Sequence, residues 1–466
     1  MTECAGFLGA DFAQFMPHLM EPLLNDAKLN VDFKMEDAAT PNTSNNLAYN
    51  VKVRGMGEQR VQMNTHAMMS KGGAFILLER ISANMKSAFA PFVEQHAELL
   101  AVVAEHMTYK FNKGIRKSAL KVFKNILIAV GFPKNRALFQ EAVPMFFTEF
   151  EATIGKKDEK TLKILLKNFA QYLKALHSSN DQARSFLTDA QIKMMGPIIK
   201  ASLTLVKELK EAHAIVQAQS KANYDLDEED MDVIQEEIAK VSKVASQTME
   251  VTGQLVEIFQ AKAEGVVKDN SHWYWAEQLQ KYGSCTDEEL LDAMCYFCDF
   301  VENTSAKDDA ATLVELTQKY LDVLGSKHGE GEMMQHTIAY GLGEFGYFVP
   351  TEKFAQFMPK ALALIKPVAH AADGFEEDNL EKTENYMGAM IKLAYKHLDG
   401  NSLNKADIIH VLNHMPFTSD DCEAKVTHKL FIDEVRNNNA HLMSDEVKPH
   451  VETAIAKIRQ HIAEQG

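Results

Sequence analysis

Proline and glycine are scarce in this 466-residue chain, at 12 and 23 residues, and alternating runs of β-branched residues are nearly absent. That excludes a turn-rich sandwich or barrel and leaves an all-α class. Cysteine is scarce too. Five cysteines without a regular framework exclude a disulfide scaffold and point to a reducing compartment. Basic charge is in deficit, with a net charge of −16, which argues against nucleic acid as the main partner because phosphate binding needs surplus Lys and Arg. An acidic surface either attracts basic partners or simply keeps the chain soluble. No apolar run approaches the ~18 residues of a membrane span, so no membrane insertion is expected. The N-terminus lacks a basic region followed by an apolar stretch, and the closing AEQG carries no lipidation or retention signal. A soluble intracellular protein is expected.

What the chain does have is hydrophobic residues, 46% of the total, and a repeated phrase. FAQFMP occurs at Phe12–Pro17 and again at Phe354–Pro359. Looser relatives begin at Phe89 (FAPFVEQHAELLAVV) and Phe139 (FQEAVPMFFTEFEATI). Each opens a helix with an aromatic residue, continues apolar at three- and four-residue steps, and follows another amphipathic helix across a short turn. Two-helix units at a period of roughly 40–47 residues mark HEAT or armadillo arrays. One helix pair cannot cover its own apolar face, so it stacks on a neighbour with a similar face. The expected fold is an all-α, α-α superhelix (HEAT/armadillo-type solenoid) of about ten to eleven helical-hairpin repeats. The aromatic should wedge between layers, and the Pro should end or bend the first turn of its helix.

Two stretches break the pattern. Residues 28–64 lack helical periodicity and read as a non-helical insertion, with one short extended piece at Tyr49–Val53. Residues 224–237, YDLDEEDMDVIQEE, read as an acidic loop running into the next helix. The expected organisation is HEAT repeats over 1–223, the acidic loop, and C-terminal repeats over 238–466, all in one continuous solenoid. The first layer reads as cut short, so a longer natural chain is expected upstream of Met1.

Chemical motifs are few. Gly341-Leu-Gly343-Glu-Phe-Gly346 satisfies GxGxxG, but it lies inside an apolar helical stripe (Met334, Ile338, Gly341, Phe345, Phe348) with no strand before it, so close helix packing is expected rather than a dinucleotide site. Cys295 and Cys298 form a CxxC well inside a helix, away from the N-terminus that would activate a thiol. Seventeen histidines include no HExxH; His328, His336, His370, His397, His410 and His414 read as surface or layer-edge residues. No nucleophile–base pair, metal-ligand set or phosphate loop appears, so no catalytic, metal or cofactor site is expected.

Candidate partner-binding residues are Asp225, Asp227, Glu228, Glu229, Asp230 and Asp232, six carboxylates in eight residues, together with Trp273 and Trp275. The acidic run is either a solvated loop or an electrostatic guide for a basic segment. The tryptophans are either stacking anchors between layers or a peptide-docking site. Lys110, Lys113, Arg116, Lys117, Lys121 and Lys124 form a basic helix face, read as solvated or as an internal partner for the acidic loop.

AYGLGEFG at Ala339–Gly346, KTENYMGAMIKL at Lys382–Leu393, CYFCDFVENTS at Cys295–Ser305, YDLDEED at 224–230 and GEQRVQMNTHAMMSKGGA after the insertion occur in one order along the chain. This collinear set resembles the importin-β (karyopherin-β) family, in the C-terminal half of its karyopherin beta-3 (importin five-like) branch. It departs from that pattern at Lys113, and 270–310 match loosely. The resemblance implies a nuclear transport receptor shuttling between cytoplasm and nucleus. Its partners would be basic protein cargo, phenylalanine-glycine nucleoporins and Ran, whose main site lies in earlier repeats that this chain lacks. A cytoplasmic HEAT-repeat scaffold, of the phosphatase-scaffold kind, is the alternative.

Overall fold

In the computed structural model, both copies of the repeated phrase lead from a tight turn into a helix that starts at the Met. Residues Gly9–Phe15 form a 3-10 turn that feeds a helix starting at Met16, and Phe357 likewise precedes a helix starting at Met358. Pro17 and Pro359 sit in the first turn of those helices, where a missing N–H costs no intrahelical bond. Proline therefore starts the helix rather than bending it. Phe12 and Phe354 are both buried, as the wedge reading expects.

The structure describes residues 2–465 except 32, 38–46, 54–56, 180–185 and 224–227. They fall into two compact units, 1–194 with 204–254, and 195–203 with 255–466. In the first unit the helices are α1 (Thr2–Leu8), α2 (Met16–Lys28), α3 (Thr65–Met85), α4 (Ala90–Gln95), α5 (Ala97–Met107), α6 (Lys113–Val130), α7 (Lys134–Gly155) and α8 (Glu159–Ser179). One row, α3, α6 and α8, packs in sequence, and α2, α5 and α7 each lie against a member of it. Asn112 sets the start of α6 by accepting from the N–H groups of Gly114 and Ile115 at 2.8 and 3.1 Å. Two long helices follow, α9 (Asp189–Asn223) and α10 (Glu228–Phe259), as their extended apolar stripes require.

The second unit holds α11 (Ala261–Gln280), α12 (Asp287–Asn303), α13 (Ala310–Leu324), α14 (Glu332–Phe348), α15 (Thr351–Phe354), α16 (Met358–Ala369), α17 (Leu380–His397), α18 (Lys405–His414), α19 (Asp421–Arg436) and α20 (Lys448–Gln465). Its inner row is α12, α14, α17 and α19, and α11, α13, α16 and α18 pack outside it. Capping boxes at Thr286–Glu289 and Asn404–Asp407 fix where α12 and α18 begin.

Two expectations are corrected. The insertion after α2 is a three-stranded antiparallel sheet, β1 (Phe33–Asp37), β2 (Leu47–Val53) and β3 (Gly57–Met63), in the order β1-β3-β2. Only the β2 piece was anticipated. In FKMED and GEQRVQM the alternation is only two apolar residues long, Phe33 and Met35 or Val61 and Met63, and the ladder that pairs Met35 and Tyr49 with Val61 is non-local. Second, the acidic stretch 224–237 is helix from Glu228 onward. Carboxylates in a first turn favour the positive end of the helix dipole, so over 228–237 acidity marked a helix start, while 224–227 lie outside the described residues. That stretch also lies within the first unit, while the units divide at 194/195, 203/204 and 254/255.

Candidate functional site

The helix spacing that builds the inner row of the second unit also buries charge in it. The Lys392 ammonium on α17 lies 2.6 Å from Glu344 of α14 and 3.2 Å from Glu423 of α19. It sits over the Tyr340 ring, 4.7 Å from the centroid, and the Tyr340 hydroxyl donates to Glu302 of α12 at 3.0 Å. Thr427 donates to Glu423. One cation thus pairs with carboxylates from two other helices, and the tyrosine it covers ties in a third carboxylate from α12. Neither Lys392 nor Glu344 was marked in the sequence, although a charged residue inside the otherwise apolar runs AYGLGEFG and YMGAMIKL is a readable signal.

Charge in this column is out of balance. Burial, reinforced by Glu344, pushes the Glu302 carboxyl up to about 7 despite the pull of Lys392. Lys392 itself is held protonated, because the attraction of Glu344 and Glu423 outweighs the burial that opposes it. Further along, Tyr347 donates to Glu434, and Asn439 bridges Glu434 to the Tyr395 carbonyl. Glu384 accepts three backbone N–H groups, from Thr418, Ser419 and Asp420. These contacts order the layers.

The motifs singled out in the sequence fall into this packing. A Cβ on Gly341 would stand 2.3 Å from Tyr320, and one on Gly343 2.7 Å from the Ala389 backbone, so these glycines permit close contact of α14 with α13 and α17. Cys298 is buried against the Tyr320 hydroxyl at 3.5 Å. Burial raises both thiols, Cys295 to about 12, which leaves them protonated and inert. His397, expected near the surface, is core: its Nε2 pairs with the Gly346 carbonyl at 2.6 Å and its ring stacks on Phe354. His328 is also buried, with Nδ1 2.5 Å from Asp287. His370, His410 and His414 do meet at a layer edge, in a stack with Phe375. The basic face of α6 is tied to its neighbours, Lys121 to Glu79 and Arg116 to Thr161.

Of the candidate partner-binding residues, Asp225 and Asp227 lie outside the described residues. Glu228, Glu229, Asp230 and Asp232 fall on the first turns of α10, with side chains outside them. Trp275 is fully buried and stacks on Tyr296 at 5.7 Å, as a stacking anchor does. Trp273 is half-buried, and its indole donates to the Asn270 carbonyl at 3.1 Å.

The same aromatic cluster floors a groove of about 480 Å³ between α11, α12 and α13. Phe297, Phe300, Val301 and Leu316 supply its apolar lining, and His272, Lys268, Lys319 and Glu315 stand along it. His272 Nδ1 meets the Tyr296 hydroxyl at 2.9 Å, and burial lowers its pKa to about 4, so it is neutral at ordinary pH. Among the described residues no group of three or more acidic, His or Cys side chains could hold a metal ion, and no helix is long and apolar enough to cross a membrane.

No protein-family model matches the chain. Solved structures do. Kap121p bound to Nup53p superposes with a TM-score of 0.64 at 14% identity, covering 98% of this chain and 39% of that one. Kap121p bound to RanGTP gives 0.63 at 14%, covering 97% and 41%. Kap121p bound to Pho4p gives 0.60 at 15%, covering 98% and 40%. The chain therefore spans about two fifths of the length of these karyopherin structures. Its fold is the all-α HEAT-type solenoid fold of a karyopherin, with the small sheet inserted after α2.

Proposed function

We propose that this chain is part of a nuclear transport receptor of the importin-β type, acting by binding alone. The observation that carries this reading is the karyopherin-like fold over 98% of the chain. The collinear sequence motifs support the same reading. Kap121p is seen bound to Nup53p, Pho4p and RanGTP, which suggests the partner classes here: nucleoporins, protein cargo and Ran. The chain corresponds to the C-terminal half of such a receptor and shuttles between cytoplasm and nucleus.

Asp225, Asp227, Glu228, Glu229, Asp230 and Asp232 guide a basic cargo segment by long-range attraction, which weakens as salt screens it. Trp273, half-buried at the edge of the aromatic cluster, contributes to partner binding, and Trp275 holds that cluster together. Small rotations between stacked hairpins add up, so a ligand that favours one arrangement changes affinity elsewhere.

Surface plasmon resonance with a basic targeting peptide and with Ran-GTP tests the reading. Salt-sensitive binding of the peptide and weak or absent binding of Ran-GTP are expected. Nanomolar Ran-GTP binding would contradict the placement in a C-terminal half. Failure to bind the peptide at low salt would favour a cytoplasmic HEAT scaffold instead.

A further inference from the structure

Within the first unit, α6 and α8 concentrate the positive charge that the chain as a whole lacks. α6 carries five basic residues and no acidic one, and α8 carries four with Glu159 as its one carboxylate. On α6 they recur at three- and four-residue steps from Lys113 to Lys124, and on α8 from Lys160 to Lys167, so each helix bears a basic stripe. The two helices lie side by side: Arg116 donates to the Thr161 hydroxyl at 2.9 Å, and the Tyr172 hydroxyl donates to the Leu120 carbonyl at 2.6 Å.

Cations outnumber carboxylates here even with every carboxylate ionised. Glu79 of α3 pairs with Lys121, and Glu159 lies 4.0 Å from Lys160. Asp158 caps α8 by accepting from the Thr161 N–H at 3.0 Å, and Arg116 and Lys113 both act on it. Glu250 of α10 is drawn to Lys167 and Lys174, although burial raises its pKa. These four carboxylates face the nine basic side chains of α6 and α8, to which α10 adds Lys243. Lys163 registers the excess: burial and the repulsion of Lys243, Lys113, Lys167 and Lys117 hold its ammonium below the ordinary lysine pKa. Lys124 is lowered too, by burial and by Lys121 and Lys167 against the pull of Glu79. Lys117, Lys163, Lys167 and Lys243 form no ion pair within 4.0 Å among the described residues. Lys117, Lys167 and Lys243 are exposed.

We propose that the paired basic stripes of α6 and α8 dock an extended acidic segment of a partner protein, its carboxylates meeting Lys117, Lys163, Lys167 and Lys243. Charge complementarity selects this occupant, because each carboxylate brought in relieves repulsion already present among the lysines. Size agrees. At about 1.5 Å per residue the stripe on α6 is ~17 Å long, which an extended segment of about five or six residues spans. Nucleic acid fits less well. The aromatic rings of α6 and α8, Phe123, Phe169 and Tyr172, are all buried, so bases would find nothing to stack on in either helix. A strand longer than the patch would also run onto a chain whose net charge is −16. This docking goes beyond the transport reading, whose partners are basic cargo, nucleoporins and Ran.

The test uses the full chain and fluorescein-labelled Gly-Glu-Ser-Glu-Ser-Glu-Gly, beside counterparts with every Glu replaced by Gln or by Lys, read by anisotropy. The acidic peptide should bind about tenfold or more tighter than the glutamine peptide at low salt, and the gap should narrow as salt is added. The variant Lys117→Glu/Lys163→Glu/Lys167→Glu should invert the order, so that the lysine peptide binds best. The milder Lys117→Gln/Lys167→Gln changes two exposed residues, so it should keep the parent melting temperature while weakening the acidic peptide about fivefold. Lys353→Glu/Lys360→Glu, at exposed lysines of the second unit, should leave the affinity unchanged. Equal affinity for the acidic and glutamine peptides would overturn the proposal. So would undiminished binding by the Gln variant, an equal loss in the Lys353/Lys360 variant, or tighter binding of an oligouridine of about ten nucleotides. None of these results bears on the test with the basic targeting peptide.

Discussion

Lys392 of α17 and Glu344 of α14 meet with 2.6 Å between ammonium and carboxylate, both side chains almost wholly withdrawn from solvent. An ion pair so placed contributes less than its Coulomb attraction suggests, because both charges were taken out of water. Removing one partner is different, since the others are then buried with no counter-charge. Lys392→Met should cost about 3–5 kcal/mol, visible as a large loss in the melting of the second unit. The triple change Lys392→Met with Glu344→Gln and Glu423→Gln should recover much of that loss. No loss in the single variant would mean the column is hydrated and its charges are independent.

Glu302 links this column to pH. Burial raises its carboxyl to about 7 in the folded chain from 4.5, so the folded state favours the protonated form. The stability contributed is fully present below about 4.5 and is lost as pH rises through about 7. Between pH 5.5 and 8 the second unit should therefore weaken by on the order of 2 kcal/mol, a value set by a shift of this size. Glu302→Gln should reduce that slope, the remainder coming from Asp299, whose buried carboxyl is also raised to about 7, and should stabilise the chain at pH 8. Chemical denaturation at the two pH values checks both statements.

The repeated FAQFMP predicts unequal consequences for equal substitutions. Phe357 is 5% exposed and Phe15, its counterpart in the phrase, is 43% exposed. Phe357→Ala should cost about 3 kcal/mol and Phe15→Ala less than about 1 kcal/mol. Melting temperatures of the two variants measure the difference. Equal losses would show that identical phrases are not packed differently by their surroundings.

Gly343 faces the Ala389 backbone, where a Cβ would come within 2.7 Å of a Cα, and backbone cannot swing aside as a side chain can. Gly343→Ala should push α14 from α17 and cost about 1–3 kcal/mol. Hydrogen exchange should rise in both helices together. An unchanged exchange pattern would remove close helix contact as the reason for glycine there.

Of these four sites, the repeated phrase and Gly343 were readable in the sequence, and Lys392 and Glu302 were not. Repeats declare themselves through local periodicity, so the recurrence of FAQFMP and the stripe through Gly341 led directly to stacked helices. The inertness of Cys298 followed from the place of its CxxC well inside a helix. The sheet at 33–63 escaped because strand pairing joins residues far apart in sequence, such as Phe33 and Met63. Lys392 escaped because a buried lysine looks like a surface one until its carboxylates on α14 and α19 are known. His397 escaped for the same reason, its partner being a carbonyl 51 residues away.

Retention of the purified chain on an immobilised Phe-Gly-repeat peptide, beside a column in which every Phe is replaced by Ser, tests the transport reading most directly. The account predicts retention on the first column and free passage through the second. Equal behaviour on both columns would contradict it.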